Sequence, residues 1–281
     1  MASILVHELF PNAIVINDTL DGTFPNHSPN PLKAEAREQI STLVREKKLD
    51  CGVIFDGDAD RCMFVDEKGD FVQPDYLIPI VARATGIGKI IHDVRTSRGA
   101  IEELRRMGCE PVMVPVGHAF AKPILREVGA VCGGELAGHY YFSEFHGCDS
   151  GVLAALRILG EVAKAKAAGK SFSEMMKPIS GVYANSGEMN FKVQDPPSQG
   201  FGVASKDAKD LAIERVLAAA KAKLPREISR SEMDGIRIEY AEGWINVRKS
   251  NTEPYLRLIV ECKTHGLLEE WTEILKGAID G

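Results

Sequence analysis

No stretch of this 281-residue sequence is apolar for long enough to span a bilayer, and the run from Ile78 to Ala84 is broken by Pro79 and Arg83. The N-terminus lacks a basic segment followed by an apolar core and a small-residue cleavage site, so no secretory signal is read there. The six cysteines, Cys51, Cys62, Cys109, Cys132, Cys148 and Cys262, form no CxxC pair. Most adjoin apolar runs, which points to buried reduced thiols rather than disulfides or zinc ligands. Positive charge is in deficit, with 34 Lys and Arg against 40 Asp and Glu and a net charge of −6. That balance argues against nucleic-acid binding and requires an anionic substrate to find a local positive site. Internal repeats and low-complexity tracts are also missing. What remains is the composition of a globular protein, 44% hydrophobic and 26% charged, long enough for two or three domains. A cytoplasmic protein with no membrane partner is expected, and the sequence carries no signal for an oligomeric state.

Residues 51–65 read CGVIFDGDADRCMFV. An apolar, strand-like run ends in three carboxylates at alternate positions, Asp56, Asp58 and Asp60, followed by Arg61. In a tight loop these like charges converge, which is costly unless a cation or a proton neutralises them. Oxygen-only donors favour a hard ion, with Mg²⁺ the first choice. The adjacent guanidinium suggests a phosphate, which it can grip bidentately. Three other readings compete at this point. One is a solvated acidic turn. The second is an EF-hand calcium loop with Glu67 at its twelfth position, although Arg61 stands where that loop needs glycine. The third is a haloacid-dehalogenase-type phosphatase with Asp56 as nucleophile and Asp58 as acid.

Residues 13–17 (AIVIN) read as a strand, and Lys33 to Lys47 as a helix opened by Pro31. Lys68-Gly69-Asp70 predicts a hairpin turn, and Pro74 starts a further helix. From Lys89 to Ala168 strands and helices alternate. Lys89 to Val94, Pro111 to Pro115 and Ala130 to Cys132 are extended; Gly99 to Met107 and Phe120 to Val128 are helical; and Asp149 caps a long helix. This predicts an α/β fold with a largely parallel sheet covered on both faces. The tract QDPPSQGFG at 194–202 marks a change of character. After it come a helix from Lys206 to Lys223, strands near 235–240, 243–248 and 255–262, and a helix near 267–277, which predict a small α+β domain. The boundary is expected near 178–186. Residues 1–70 hold too few elements before the acidic loop to bury a core alone, so the chain reads as if something precedes it.

Two further loops are rich in donors and acceptors. Residues 248–254 read Arg-Lys-Ser-Asn-Thr-Glu-Pro between strand-like runs, a dense donor set suited to phosphate oxygens. Residues 133–139 read Gly-Gly-Glu-Leu-Ala-Gly-His; Glu135 can accept from sugar hydroxyls, glycines such as Gly138 admit a ligand to the backbone, and His139 can move protons or bond a phosphate. His118 and Arg95 follow predicted strands, where ligands gather in open α/β sheets.

In this order the loops DGDADR, GELAGH and RKSNTEP resemble the metal, sugar and phosphate loops of the α-D-phosphohexomutases, the phosphomannomutase/phosphoglucomutase family. DGTFPNHSPNPL at 21–32 is similar to the family's stretch before the metal loop. The resemblance implies phosphohexomutase-type α/β domains with mixed or parallel sheets flanked by helices, then a small α+β C-terminal domain. The expected division is 1–70 (part of the second domain, with the metal loop), 71–180 (third) and 181–281 (fourth). It implies that Asp56, Asp58 and Asp60 bind Mg²⁺, with Arg61, Arg95, His118 and His139 around the reacting groups. Glu135, Gly138 and His139 would meet the sugar; Arg248, Ser250, Asn251 and Thr252 would hold the phosphate not being transferred. The implied substrate is a hexose phosphate of mannose, glucose or both.

The sequence departs from the family in three places. Arg95 stands where many members carry a lysine suspected of acid/base work, and a guanidinium is much harder to deprotonate. Ala137 replaces the usual serine of the sugar loop. No TASHNP-like phosphoserine motif is present; Asn26-His27-Ser28-Pro29-Asn30-Pro31 is superficially similar but aligns with the second domain. The expectation is therefore a phosphohexomutase portion that is inactive by itself, with a non-catalytic phosphosugar-binding module as the alternative.

Overall fold

The computed structural model describes residues 2–193, 207–250 and 254–280. The chain forms two compact units, Met1–Ser180 and Gly181–Gly281.

In the first unit, helix α1 (Ala2–Leu9) is followed by an irregular segment. The strand expected at 13–17 is not formed. Ile14 and Ile16 are exposed and pair with no strand of the described residues, so nothing buries the apolar face a strand there would need. Helix α2 (Ala34–Lys47) turns Ala36 and Val44 inward and ends at Lys48 in the left-handed conformation, whose N–H returns to the Val44 carbonyl. Strands β1 (Gly52–Phe55), β2 (Cys62–Val65) and β3 (Phe71–Val72) form an antiparallel meander in that order. The expected hairpin turn closes between Asp66 and Asp70, whose backbones are joined N–H to O at 2.9 Å.

After a 3-10 turn (Pro74–Leu77) the chain runs through α3 (Ile78–Thr85), β4 (Lys89–Asp93), α4 (Arg98–Arg106), β5 (Glu110–Val114) and α5 (His118–Val128). It continues through β6 (Cys132–Gly134), β7 (Tyr140–Phe142), β8 (Cys148–Asp149), α6 (Gly151–Ala167) and α7 (Phe172–Ser180). The five-stranded sheet has the order β5-β4-β6-β7-β8. Side chains alternate across it. Ile90, Cys132, Tyr140 and Phe142 pack with α3, α4 and α6 on one face, while Ile91, Val114 and Tyr141 pack with α5 on the other. The sheet is thus covered on both sides, but only β5-β4-β6 are parallel, and β7 and β8 run antiparallel. The link from β6 to β7 is Glu135 to His139, far too short for a parallel crossover, so the chain must reverse there. Helix α6 is capped by Ser150, whose hydroxyl accepts from the Leu153 N–H, and not by Asp149 as expected.

The second unit begins with β9 (Ala184–Asn185) and β10 (Met189–Lys192), neither anticipated from sequence. It continues with α8 (Ala208–Lys223), β11 (Ser229–Ser231), β12 (Ile236–Glu239), β13 (Gly243–Lys249), β14 (Tyr255–Cys262) and α9 (His265–Asp280). The antiparallel sheet order is β10-β14-β13-β12-β11, with β9 on the end of β14. Ile245, Val247, Leu258 and Val260 join Val216 of α8 and Trp271 and Leu275 of α9 in one core. The alternate residues of the same strands, Trp244, Asn246, Arg248 and Arg257, therefore belong to the opposite face. The Pro- and Gly-rich tract at 194–202 lies outside the described residues.

All six cysteines are unpaired, and burial pushes the Cys132 thiol up to about 12, so it is inert as a thiolate at neutral pH. Among the described residues no helix is long and apolar enough to cross a membrane.

The meander is tied to α7 by Glu67, which accepts from the Ser173 hydroxyl (2.6 Å) and N–H (3.0 Å). Burial raises the Glu67 carboxyl, but the two Ser173 bonds outweigh it and hold it at about 2. Its unfolded value is ~4.3, so this contribution is complete above that pH and lost as pH falls towards 2. Urea midpoints of the wild type and Glu67→Gln should differ by a constant amount above about pH 5 and converge near pH 2; a gap that ignores pH would refute the assignment.

Candidate functional site

The loop between β1 and β2 is a charged turn. The Ala59 N–H returns to the Asp56 carbonyl at 3.2 Å, and Ala59 sits at φ 61°, a conformation that L-residues other than Asn and Asp rarely adopt. Asp56 is held on both carboxylate oxygens, by the Arg61 N–H at 3.1 Å and by Arg61 Nε at 2.6 Å. Carboxylate oxygens of Asp56, Asp58 and Asp60 all lie within 4.8 Å of one another. Asp60 Oδ1 is buried and accepts no hydrogen bond among the described residues. Burial raises the Asp60 carboxyl, His139 opposes the rise, and the charges of Asp56 and Asp58 add to it, leaving it above the usual range. An orphaned buried oxygen among three converging carboxylates is the donor set of a hard divalent cation, so these residues fit a metal.

The flanks of the loop are the strands β1 and β2, which removes the EF-hand reading. The dehalogenase reading fails as well. Asp56 is clamped by Arg61 at the end of a short antiparallel meander, not free at the end of a strand in a parallel sheet.

The acidic turn is joined to the GELAGH loop through the backbone. Arg61 and His139 form an antiparallel bridge, and the Cys62 N–H donates to the Gly138 carbonyl at 3.2 Å. Gly138 has φ 89°, and a Cβ there would stand 3.0 Å from the Met63 methyl and 3.2 Å from the Cys62 carbonyl. Gly151, at the start of α6, lies so close that a Cβ would fall 2.7 Å from the Arg61 carbonyl. These contacts require glycine.

Beneath the loop lies a buried charge network. Asp93, fully buried at the end of β4, accepts from the Arg95 N–H (2.7 Å), Arg95 NH2 (2.6 Å) and the Leu136 N–H (3.0 Å). Burial would raise the Asp93 carboxyl, but the Arg95 guanidinium and these bonds hold it below the usual range. Arg95 NH2 also stands 3.8 Å from Glu135, whose carboxylate accepts from the Tyr141 hydroxyl (2.5 Å) and the Gly117 N–H (3.3 Å). Glu135 is 1% exposed, so its carboxylate braces the loop from below rather than facing outward. Arg95 is likewise buried, with its guanidinium on Asp93.

His139, 13% exposed, adjoins this network with its ring stacked on that of Tyr141. Its Nδ1 lies 2.9 Å from Asp149 Oδ2 and 3.6 Å from Asp60 Oδ2, and Lys122 Nζ lies 2.7 Å from Asp149 Oδ1. Burial raises the Asp149 carboxyl, but the hydrogen bonds from His139 and Lys122 and their charges hold it far below the usual range. An ionised carboxylate only accepts, so Nδ1 carries the proton and a neutral His139 leaves Nε2 as an acceptor. His118, exposed at the start of α5, meets His139 edge to face with ring centroids 5.8 Å apart.

In the second unit, Arg248 and Arg257 are direct cross-strand partners on β13 and β14. Two cations in that position repel unless an anion is shared. Glu188 supplies one, at 3.2 Å from Arg248 NH2 and 3.3 Å from Arg257 NH1. Arg257 NH2 donates to the Ser250 hydroxyl at 3.2 Å. Arg248 and Ser250 are thus brought together around Arg257. Asn251 and Thr252 lie outside the described residues. Lys122, Tyr141 and Arg257 carry no site reading in the sequence, Asp149 reads there as a helix cap and Asp93 as part of a strand end; of the first three only Arg257 has a legible signal, as a cation facing Arg248 across a predicted hairpin.

Ala59 sits in the left-handed region at φ 61°, so a β-branched residue there should cost more than alanine does. Ala59→Val should destabilise by about 1–2 kcal/mol by urea unfolding, while Ala59→Gly should not destabilise. An unchanged midpoint for Ala59→Val would show that the turn is not held in this conformation.

Three family models follow one another along the chain. The phosphoglucomutase/phosphomannomutase alpha/beta/alpha domain II matches residues 3–69, domain III matches 73–181, and the C-terminal domain matches 188–277. A phosphomannomutase of Vibrio cholerae is 39% identical over 273 residues, covering 94% of this chain and 55% of that protein. One from Methanocaldococcus jannaschii is 35% identical, covering 98% of this chain and 57% of the relative. The chain therefore spans somewhat more than half the length of the curated relatives it matches. A crystal structure of a phosphoglucomutase/phosphomannomutase family protein from Burkholderia thailandensis superposes with a TM-score of 0.79 at 26% identity, covering 99% of this chain and 58% of that one. Three consecutive domain matches and relatives alike over nearly all of its length establish that this chain belongs to the α-D-phosphohexomutase family of phosphoglucomutases and phosphomannomutases, which are isomerases.

Proposed function

We propose that this chain serves the interconversion of hexose 1-phosphate and hexose 6-phosphate, of mannose, glucose or both, as the 1–70, 71–180 and 181–281 portions of a cytoplasmic phosphohexomutase. The observation that carries the reading is the backbone bridge from Arg61 to His139, which fastens a metal-fitting acidic turn to a sugar-loop sequence. The phosphomannomutase names of the relatives support the mannose side of it.

The ion held by Asp56, Asp58 and Asp60 is proposed to be Mg²⁺, which when bound would supply positive charge against phosphoryl oxygens. Arg61 works beside it. Its Nε is committed to Asp56, and among the described residues its terminal nitrogens have no partner, so they can grip a phosphoryl oxygen. His139 moves a proton at Nε2 to or from a sugar hydroxyl, with Asp149 fixing its tautomer. His118 lines the same opening. Glu135 and Arg95 position the loop, and Gly138 brings its backbone close to the sugar. Arg248 and Ser250, with Asn251 and Thr252, receive the phosphate not being transferred. Arg257 joins them, and the phosphate takes over the guanidinium contacts that Glu188 makes. Such transfers depend on positioning and electrostatics.

The 281 residues contain no TASHNP-like serine, so these roles amount to recognition, charge neutralisation and proton transfer rather than nucleophilic attack. Calorimetric titration with glucose 1-phosphate and mannose 1-phosphate in Mg²⁺ should give binding. Arg248→Ala should weaken it by about 1.5–3 kcal/mol, roughly 10- to 150-fold. No binding by the wild type, or an unaltered Arg248→Ala, would overturn the site assignment. With a hexose bisphosphate activator the chain alone should show no mutase turnover; appreciable turnover would place a phosphoryl acceptor within it.

A further inference from the structure

We propose that His118, His139 and Asp149 form a second metal site, for a borderline transition ion such as Zn²⁺ or Co²⁺, separate from the acidic turn. One imidazole nitrogen from each histidine and one Asp149 oxygen lie within 4.8 Å of one another. Two nitrogens and one carboxylate suit Zn²⁺ and Co²⁺, whereas the oxygen-only turn suits Mg²⁺ or Mn²⁺.

The geometry is close to a formed site. Two metal–ligand bonds of about 2.0–2.1 Å, opened by about 90–110°, set their donor atoms ~2.9–3.4 Å apart. His139 Nδ1 and Asp149 Oδ2 already stand at 2.9 Å. An ion between them displaces the Nδ1 proton to solvent and replaces one hydrogen bond with two coordinate bonds. His118 is exposed at the start of α5 with its ring edge-on to that of His139, and a turn of that ring closes the remaining distance. The outer shell is also in place. Lys122 donates to the other Asp149 oxygen at 2.7 Å, which orients the carboxylate and leaves Oδ2 towards the histidines. Asp60 Oδ2, 3.6 Å from His139 Nδ1, borders both groups. On the functional reading above, an ion here occupies His139 and antagonises sugar binding; the site itself does not rest on that reading.

The test is Co²⁺ titration of the 281-residue chain by visible absorption, with Mn²⁺ followed by electron paramagnetic resonance, in the absence of any sugar phosphate. The expected result is one equivalent of Co²⁺ with the intense bands of a four- or five-coordinate site. His118→Gln and Asp149→Asn should each weaken Co²⁺ binding roughly tenfold or more and leave Mn²⁺ binding unchanged. Asp58→Asn should do the reverse. Circular dichroism controls for folding, and His118→Gln, at an exposed position, decides the matter if Asp149→Asn unfolds. Weak octahedral bands alone, unchanged Co²⁺ affinity in His118→Gln, or loss of both ions in Asp58→Asn would each overturn the proposal.

Discussion

The first unit's site depends on a short piece of backbone: the bridge between Arg61 and His139, with the Cys62 N–H on the Gly138 carbonyl. It joins loops from two different sheets, the antiparallel meander and the five-stranded sheet. Each loop alone is an ordinary turn. Fastened together, they place three carboxylates, a guanidinium and an imidazole within reach of one another. The approach is possible because Gly138 and Gly151 carry no side chain where the Arg61–Met63 segment passes.

Charge is handled in pairs around that bridge. Asp56 is neutralised by Arg61, Asp93 by Arg95, and Asp149 by Lys122. Asp60 is held more loosely: Arg61 Nε stands 3.8 Å from Oδ1 and His139 Nδ1 3.6 Å from Oδ2, and its buried Oδ1 accepts no hydrogen bond among the described residues. The most weakly paired carboxylate is thus located at the position where a cation has most to gain. The second unit shows the opposite sign of the same logic: Arg248 and Arg257 face each other across two strands, with Glu188 shared between them. An acceptor of similar charge, such as a phosphate, can take those contacts without leaving two guanidiniums opposed.

The strands flanking DGDADR were legible because the apolar runs on each side have strand length and composition, and the alternation from Lys89 to Ala168 revealed the α/β class. Less legible was strand direction. The antiparallel turn of β7 follows from the shortness of the Glu135–His139 link, which matters only once both flanks are known to be strands of one sheet. The segment at 13–17 has strand composition but no pairing partner, and composition cannot supply one. Asp149 has the sequence position of a helix cap, but Ser150 fills that task and leaves the carboxylate to His139 and Lys122.

By itself the sequence determined the chemical types: an oxygen-only acidic turn, a glycine-rich loop ending in histidine, and a hydroxyl- and cation-rich hairpin. Local spacing suffices for these because each loop's donors lie within seven residues of one another. Tertiary structure decided which of those groups face outward and which brace from below. Glu135, expected to meet the sugar, and Arg95, expected near the reacting groups, are both buried, while Asp149 and Lys122 contact each other beside His139 and Arg257 reaches Ser250. The reason is physical: burial and partner choice are set by residues distant in sequence, through contacts that exist once the sheets have formed.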